Sequence, residues 1–387
     1  MRDPEPFAAR TDPAALEDLR ARLRATRWPD APEDAGWALG TDLDYLRELV
    51  AYWADGFDWS AQEAALARIP RYRTQVGGLG IHHVHARAVG ATGPTLPLVL
   101  SHGWPDSFWR YTKVVPLLTD PGAHGADPAD AFDVVVPDLP GFGYSEAPRA
   151  GALDSVAVAG LWAELMTVLG YPQFGAAGGD LGSHVSRYLA LDHPDRVVAV
   201  HRTDAGLPVP GTDPADLTGE ERDWLAAAAA WGAAEGGYAA MHRTKPQTAA
   251  VGLNDSPVGL AAWIVEKLRA WSDCGGDVET RFTKDEILTN VTIYWLTRTI
   301  GSSMRMYAAN AAIPLAQLAR RVEVPSGFAI FAGDVVRPPR AWLHRTANTV
   351  RVTEPTRGGH FAPFEEPELY AQELREFFRP YRAALTT

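Results

Sequence analysis

An alternation of short apolar segments with helical segments, which begins near residue 76, constrains the fold of this chain most strongly. The apolar segments read GIHHVHA, PLVLSH, FDVVVPD, FGAAGG, VVAVHRT, GFAIFAG and TVRVTE. Stretches with helical character lie between them, such as residues 155–169 and 183–191. Strands that alternate with helices predict an α/β fold with a mostly parallel sheet, because the connecting helices cover both of its faces.

The alternation is interrupted once and is preceded by a different pattern. The first 75 residues favour helices, and Asp12 in front of Pro13 is a typical helix start. A long helical insertion separates the last two strands from the others, and such an insertion is expected over the carboxyl edge of the sheet, where ligands bind. We therefore predict an N-terminal helical extension at 1–75, an α/β core at 76–204 and 321–387, and a helical cap at 205–320.

Charge and composition exclude several classes of protein. The 36 Lys and Arg residues are outnumbered by 48 Asp and Glu residues, which gives a net charge of −12 and disfavours nucleic-acid binding. Cys274 is the single cysteine, so a disulfide framework is excluded, and the HHVH segment lacks further ligands at metal-binding spacing. Because no run of about 18 apolar residues occurs, we expect a soluble cytoplasmic protein without a membrane span.

A glycine-rich turn between an apolar strand and a helix carries the central motif. Residues 178–182 read Gly-Gly-Asp-Leu-Gly, which fits the pattern G-x-nucleophile-x-G. Asp180 occupies the nucleophile position, and a carboxylate is ionised at neutral pH without the help of a base. The alternative is that Asp180 only caps the following helix, since Asp is favoured at that position.

Other strand ends supply the residues that complete a catalytic set. The segment HGWP follows PLVLSH, so the backbone N–H groups of Trp104 and Leu181 are the predicted oxyanion donors. Asp334 ends GFAIFAG, and His360 follows the last strand. Nucleophile, acid and histidine thus occur in the chain order known for such turns. Asp204, which follows VVAVHRT, is the alternative acid.

Segments along nearly the whole chain follow a known pattern. They read RATRWPD, YWADGFDW, GLGIHHVHAR, SHGWPDSFW, PLLTDP, LPGFGYSEAP, GGDLGS, TKPQT, LNDSPVGLAAWIVEK, LTNVTIYW and GGHFAPFEEPEL. In these segments the chain resembles the epoxide hydrolases of the α/β-hydrolase fold, specifically the microsomal-type subfamily with an N-terminal helical extension. It is also similar to the epoxide hydrolases of enediyne natural-product pathways. The resemblance implies hydrolysis of an epoxide to a vicinal diol through a covalent ester.

The resemblance also implies a role for each site residue. Asp180 in GGDLG matches the nucleophile, His360 in GGHF the base, and Asp334 in FAGD the charge-relay acid. Tyr238 in GGYAAMHRTKPQT and Tyr307 in SSMRMY match two cap tyrosines that protonate the epoxide oxygen. No cofactor and no metal is implied. The expected partners are a small-molecule epoxide and water, with a homodimer as the candidate assembly.

One departure from the subfamily concerns the wall of the pocket. Leu181 stands where the subfamily often has Trp, so we expect Leu181 and Trp104 to shape the substrate pocket. The many Trp and Phe residues favour a bulky apolar or aryl epoxide. Two alternatives stay open at this point. A haloalkane dehalogenase shares the Asp, His and acid but needs Trp or Asn halide donors, and a non-catalytic ligand-binding protein would not need the complete triad.

Overall fold

A nine-stranded sheet forms the centre of the protein in the computed structural model, which describes residues 4–205 and 212–386. The strands in chain order are β1 (Glu5–Pro6), β2 (Arg71–Val76), β3 (Leu79–Ala86), β4 (Leu96–Ser101), β5 (Phe132–Pro137), β6 (Phe174–Gly178), β7 (Val197–Arg202), β8 (Val322–Ala329) and β9 (Ala347–Thr353). Their spatial order is β1-β2-β3-β5-β4-β6-β7-β8-β9. The pairs β1–β2, β2–β3 and β3–β5 are antiparallel. The other five pairs, which join β5, β4, β6, β7, β8 and β9 in that order, are parallel. The predicted mostly parallel sheet is therefore confirmed.

The centre of the sheet determines where a ligand can bind. Every residue of β4, β5 and β6 is buried, as expected for parallel strands that helices cover on both faces. The chain runs from β4 to β5 on one side and then to β6 on the other, so the strand order reverses at β4. Ligands of open α/β sheets bind at the carboxyl ends of the strands beside such a reversal. Ser101 at the end of β4 pairs with Gly178 at the end of β6, so the turns that follow them are neighbours.

Six α-helices precede β7 in the part of the chain that the structure describes. They are α1 (Pro13–Arg24), α2 (Leu43–Asp55), α3 (Trp59–Leu66), α4 (Val114–Thr119), α5 (Ser155–Val168) and α6 (Leu181–Asp192). Asp12 caps α1 as predicted, because its side chain accepts a hydrogen bond from the N–H of Ala14. Helix α2 buries Leu46, Leu49 and Trp53 on one face, so its apolar stripe packs against the rest of the molecule.

The expectation that residues 1–75 are helical is wrong for β1 and β2. Strand β2 forms a hairpin with β3 through Gly77 and Gly78, which both have a positive φ. Two buried positions of β2 are filled by Arg71 and Thr74 instead of apolar residues. The strand therefore has no clear alternation of apolar and polar residues in its sequence, and its pairing with β3 determines its conformation.

Only helices and turns connect β7 to β8 in the described residues. These helices, which we call the cap helices, are α7 (Gly219–Glu235), α8 (Gly237–Thr244), α9 (Pro246–Asp255), α10 (Pro257–Trp271), α11 (Lys284–Thr297), α12 (Ile300–Asn310) and α13 (Leu315–Leu318). Residues 206–211 of the predicted cap lie outside the described residues. The division of the chain into an extension, a core and a cap stays a prediction.

Three further α-helices follow β8 in the described residues. They are α14 (Arg340–Thr346), α15 (Ala362–Glu365) and α16 (Pro367–Phe378). Helix α16 packs closely on the sheet, because a Cβ on Gly327 of β8 would lie 2.5 Å from the Phe377 ring, and one on Gly175 of β6 would lie 2.7 Å from the Phe378 ring. None of the helices within the described ranges combines the length and the apolar character that crossing a membrane requires.

Candidate active site

A sharp turn between β6 and α6 presents Asp180 at the carboxyl edge of the sheet. We call residues 178–182 the elbow. Asp180 has a φ of 56°, a left-handed conformation that costs a non-glycine residue about 1–3 kcal/mol. The flanking glycines permit it, because a Cβ on Gly182 would collide with the carbonyl oxygen of Ser101, and one on Gly178 with that of Gly182. The G-x-Asp-x-G motif thus forms a strained turn that exposes its central side chain.

Backbone amides hold the Asp180 carboxylate. Although Asp180 precedes α6, its side chain makes no capping hydrogen bond. The N–H of Trp104 instead donates to Oδ1 at 2.8 Å. Burial raises the pKa of Asp180, but the interaction with His360 and the hydrogen bonds from the N–H groups of Trp104 and Leu181 outweigh burial and lower it. The side chain is therefore an anion at neutral pH, and both predicted oxyanion donors lie next to it.

His360 lies between two carboxylates. Its Nδ1 is 2.9 Å from Oδ1 of Asp334, and its Nε2 is 3.3 Å from Oδ2 of Asp180. Burial lowers the pKa of His360, but the hydrogen bond to Asp334 and the nearby charges of Asp334 and Asp180 raise it more strongly, to about 10. The imidazole therefore holds a second proton at neutral pH. The structure thus brings the three predicted triad residues into one continuous chain of contacts.

Asp204, the alternative acid, lies in the same site but contacts a different group. Its Oδ2 accepts a hydrogen bond from the backbone N–H of Asp180 at 2.9 Å. Its carbonyl oxygen accepts one from Oγ of Ser183 at 2.9 Å. Asp204 therefore stabilises the elbow, and the carboxylate next to Nδ1 of His360 belongs to Asp334.

The two predicted proton donors come from different cap helices and meet above the carboxylate. Tyr238 lies on α8 and Tyr307 on α12, and their ring centroids are 6.0 Å apart. Trp104 stacks on Tyr238 with centroids 5.4 Å apart and an interplanar angle of 12°. Burial raises the pKa of both phenols, and the charge of Asp180 raises it further. Both phenols are therefore protonated at neutral pH.

A cavity of about 140 Å³ connects these groups. Its lining residues are Asp180, Leu181, His184, Asp204, Trp231, Tyr238, Trp271, Tyr307, Asp334, Val335, Val336 and His360. Leu181 lines the cavity as predicted. The prediction that Trp104 also lines the pocket is not met in the described residues, because its ring lies fully buried behind Tyr238 and contacts Trp271 as well.

Sequence reasoning also missed two aromatic residues that contact the predicted site residues. The carbonyl oxygen of Trp271 accepts the N–H of His360 at 2.8 Å, and its ring centroid is 5.3 Å from that of the imidazole. The ring centroid of His242 is 4.9 Å from that of Tyr307, and its Nε2 accepts the indole N–H of Trp263 at 3.2 Å. Trp271 ends the apolar stripe of α10, and His242 follows Tyr238 by four positions on one helix face. Neither the apolar stripe nor the spacing of four predicts a position near the elbow, because that position depends on how the cap helices pack.

A buried histidine supports the oxyanion turn, by which we mean residues 102–106. Nε2 of His102 accepts the N–H of Leu139 at 3.0 Å, so its Nδ1 carries the proton and donates to the carbonyl oxygen of Gly103 at 2.9 Å. Burial lowers the pKa of His102, which agrees with a neutral ring. The part of the chain that the structure describes contains no group of three or more His, Cys, Asp or Glu side chains placed to hold a metal ion.

Comparisons with known families and proteins agree along the chain. The family described as epoxide hydrolase N terminus matches residues 4–111, and the family described as alpha/beta hydrolase fold matches residues 97–242. A protein of Stigmatella aurantiaca, whose name assigns it provisionally to the epoxide hydrolases, is 43% identical over 380 residues, which cover 98% of this chain and 85% of that protein. Epoxide hydrolase 1 of Sus scrofa is 36% identical over 398 residues, which cover 96% of this chain and 88% of that protein.

The solved structures give the same result. The structure of Aspergillus niger epoxide hydrolase superposes with a TM-score of 0.86 at 29% identity, covering 98% of this chain and 97% of that one. Juvenile hormone epoxide hydrolase from the silkworm Bombyx mori gives a TM-score of 0.85 at 27% identity, covering 99% and 95%. The motifs, the sheet topology and the relatives over almost the full length agree, and the chain belongs to the epoxide hydrolases of the α/β-hydrolase fold.

Proposed function

We propose that this chain converts an epoxide into a vicinal diol through a covalent ester on Asp180. One observation carries the proposal: a single cavity lies between an ionised carboxylate and two protonated phenols, Tyr238 and Tyr307. Opening a three-membered ether ring needs a nucleophile at carbon and an acid at oxygen, and the two walls of the cavity supply one each.

Ring opening is the first step. Oδ1 of Asp180 accepts the N–H of Trp104, so Oδ2 is the oxygen that attacks one epoxide carbon. The bond between that carbon and the ring oxygen breaks, and the oxygen takes a proton from the phenol pair. Two phenols that bind one oxygen also orient the ring, so positioning and acid catalysis act together. The product of this step is a hydroxyalkyl ester of Asp180 and one phenolate.

Esterification changes the charge beside His360. The anion of Asp180 contributes to the raised pKa of the imidazole, and the ester is neutral. The pKa of His360 therefore falls, and its extra proton is released to restore the phenol. The neutral imidazole, which Asp334 orients, then accepts a proton from the water that attacks the ester carbonyl.

The backbone donors act on the oxygen that becomes charged in this second step. When water adds to the ester carbon, Oδ1 of Asp180 becomes the oxyanion, and it already lies 2.8 Å from the N of Trp104. The N–H of Leu181 is the second donor. The loss of one such donor typically raises a barrier by about 3–4 kcal/mol. When the intermediate collapses, the bond to the alkoxide breaks, and the alkoxide takes the proton of the remaining hydroxyl group. The diol then leaves and the carboxylate is regenerated.

The walls of the cavity favour a bulky apolar or aryl epoxide. Leu181, Trp231, Trp271, Val335 and Val336 give it apolar surfaces, and ligand sites usually combine such surfaces with few polar groups. The polar groups are those that the two chemical steps use, together with His184 and Asp204. The cytoplasmic location, a homodimer and a place in enediyne biosynthesis stay predictions.

The haloalkane dehalogenase alternative rests on indole donors. Within the described residues, the indole nitrogens of Trp104 and Trp271 are buried without a hydrogen-bond partner. A leaving halide needs such donors, whereas an epoxide oxygen needs the two phenols. Chloride release from a haloalkane, without diol formation from any epoxide, would favour the dehalogenase. A ligand recovered unchanged after long incubation would favour a non-catalytic binding protein.

Diol formation from a small panel of epoxides that includes styrene oxide tests the proposal, with Asp180→Asn as the blank. We expect the diol from the wild type and a loss of turnover of about 10⁴-fold or more in the variant, with an unchanged circular dichroism spectrum. An Asp180→Asn protein that produces diol at the wild-type rate would rule out Asp180 as the nucleophile.

A further inference from the structure

A buried arginine joins the oxyanion turn to the loop that carries His360. Arg110 lies in the short 3-10 helix Phe108–Tyr111, just after the oxyanion turn, and its side chain is 0% exposed. Its Nη1 forms an ion pair with Asp106 four residues earlier. Its Nη2 donates to the carbonyl oxygen of His360 at 2.5 Å. A buried charge needs partners, and the two partners of Arg110 lie on two different catalytic segments.

The same guanidinium also lies against the elbow. A Cβ built on Gly179 would be 3.0 Å from Nη2 of Arg110, so the guanidinium lies directly behind the residue that precedes Asp180. One planar group therefore contacts the turn after β4, the elbow after β6 and the loop after β9. These are the three segments that carry the proposed oxyanion donor, nucleophile and base.

The backbone of His360 is held from two sides. On the cap side, its N–H donates to the carbonyl oxygen of Trp271 at 2.8 Å. On the core side, Arg110 donates to its carbonyl oxygen. The oxyanion turn has its own attachment to α11, where Asn290 donates to the carbonyl oxygen of Pro105 at 2.8 Å and Tyr294 to that of Asp106 at 2.7 Å. Arg110 thus links the backbone of His360 to a turn that is already anchored elsewhere.

We propose that Arg110 is a positioning residue for His360. Through this positioning, Arg110 affects the hydrolysis of the ester and not its formation. The inference rests on the proposed function, since it takes Asp180 as the nucleophile and His360 as the base. Ester formation uses Oδ2 of Asp180 and the phenol pair, and in the described residues Arg110 makes no hydrogen bond to these groups, whereas it donates directly to the carbonyl oxygen of His360. Ester hydrolysis requires an imidazole aimed at a water molecule beside the ester carbon, which a small displacement of His360 disturbs.

The shape of the guanidinium makes Arg110→Lys an informative variant. Arginine presents several N–H donors in a rigid plane, so it binds a carboxylate and a carbonyl oxygen at the same time, whereas lysine is a single point charge on a flexible stem. Arg110→Lys therefore keeps a positive charge near Asp106 and loses the hydrogen bond to His360. A role of the charge alone would be rescued by lysine, and a role in positioning would not.

Both half-reactions are measured with enzyme in excess over styrene oxide. Loss of epoxide reports ester formation, release of diol reports hydrolysis, and intact mass of the acid-quenched protein reports the ester. For Arg110→Lys we expect ester formation within about threefold of the wild type and hydrolysis about 10- to 100-fold slower, with the ester accumulating.

The matched control is Arg382→Lys. Arg382 is also a buried arginine, and its Nη1 donates to the carbonyl oxygens of Ala129 and Ala131. These two residues precede the amino end of β5, whereas the site lies at the carboxyl ends of the parallel strands. We expect both half-reactions of this variant to match the wild type.

A second variant keeps the inference testable if Arg110→Lys does not fold. The double substitution Asp106→Leu, Arg110→Met replaces the buried pair by apolar side chains, which usually leaves stability unchanged or higher. We expect the same selective slowing of hydrolysis. If a folded variant slows both steps equally, or hydrolyses the ester at the wild-type rate, the inference about Arg110 is wrong. A wild type that forms no ester would overturn the proposed function and this inference together, so the two failures are distinguishable.

Discussion

The two walls of the cavity differ in how their chemical state is set. On the core wall, Asp180, His360 and Asp334 are in direct contact, and the pKa of His360 depends on the charges of the other two. On the cap wall, Tyr238 and Tyr307 are half-buried among aromatic rings, and this partial burial holds both phenols in the neutral form. The core wall therefore changes state when one charge is removed, whereas the cap wall stays a proton donor.

This difference assigns each half-reaction to one wall. Ester formation needs the phenols of the cap wall and an ionised Asp180, but no base. Ester hydrolysis needs the base and the backbone donors of the core wall, but no phenol as acid. Substitutions on the two walls are therefore expected to slow different steps, and the predictions below test that separation.

The largest effect is expected from His360→Gln on the core wall. Ester formation needs no base, so we predict that the variant forms the ester and then fails to hydrolyse it, with turnover lower by about 10⁴-fold or more. Intact mass after mixing with the epoxide is expected to rise by the mass of one substrate. Asp334→Asn is expected to act in the same direction with a smaller loss, because it affects the imidazole only indirectly. A His360→Gln protein that turns over without trapping an ester would contradict the separation.

Removal of the phenols on the cap wall has the next largest effect. General acid catalysis contributes about 10²–10⁴-fold, and two donors share it here. We therefore predict that Tyr238→Phe and Tyr307→Phe each slow ester formation by about 10- to 100-fold. Hydrolysis of the ester that does form is expected to keep the wild-type rate.

Tyr171→Phe is the control for the loss of a buried phenol, since Tyr171 donates to Asp133 and does not line the cavity. We expect both steps of this variant to be unchanged. Slower hydrolysis in either cap variant, with normal ester formation, would show that the phenols act in ester hydrolysis, which contradicts their assignment to ester formation.

The smallest effect is a change in pKa within the core wall. Asp180→Asn removes one of the two carboxylates that raise the pKa of His360, so we predict that this pKa falls from about 10 towards its usual value of 6.5. The imidazole C–H resonances, followed by NMR against pH, measure it. A pKa that stays near 10 in the variant would mean that Asp334 alone holds the proton.

Stability is expected to follow the same linkage. A histidine whose pKa is raised in the folded state stabilises the fold below its unfolded pKa of about 6.5, and that stabilisation is lost as the pH rises through about 10. We therefore predict that the free energy of unfolding of the wild type falls more between these two pH values than that of Asp180→Asn. Urea titrations at several pH values measure the difference.

The core wall could be predicted from the sequence because its residues follow strands. The parallel strands have continuous apolar sequences, and residues at their carboxyl ends meet at one edge of the sheet. The strand ends and the chain order therefore predict that Asp180 and His360 lie near each other. The choice between Asp334 and Asp204 could not be made from strand ends, since both follow strands, and it depends on which carboxylate points at the imidazole.

The cap wall could not be derived in this way. Tyr238 and Tyr307 lie on separate helices, and no helical pattern states which faces of α8 and α12 meet, so they were identified by resemblance. The contacts of His242 and the bond from Arg110 to His360 are also products of tertiary packing. The strand β2 was missed for a similar reason, because Arg71 and Thr74 fill buried positions that a pattern would assign to apolar residues.

A single turnover in ¹⁸O-labelled water, with enzyme in excess over the epoxide, tests the central claim that Asp180 forms an ester. Water attacks the carbonyl carbon of the ester, so the oxygen that enters the diol comes from the carboxylate. We predict that the first-turnover diol contains no ¹⁸O and that the peptide that carries Asp180 gains it. Heavy oxygen in the first-turnover diol would show that water attacks the epoxide directly, which contradicts the ester mechanism.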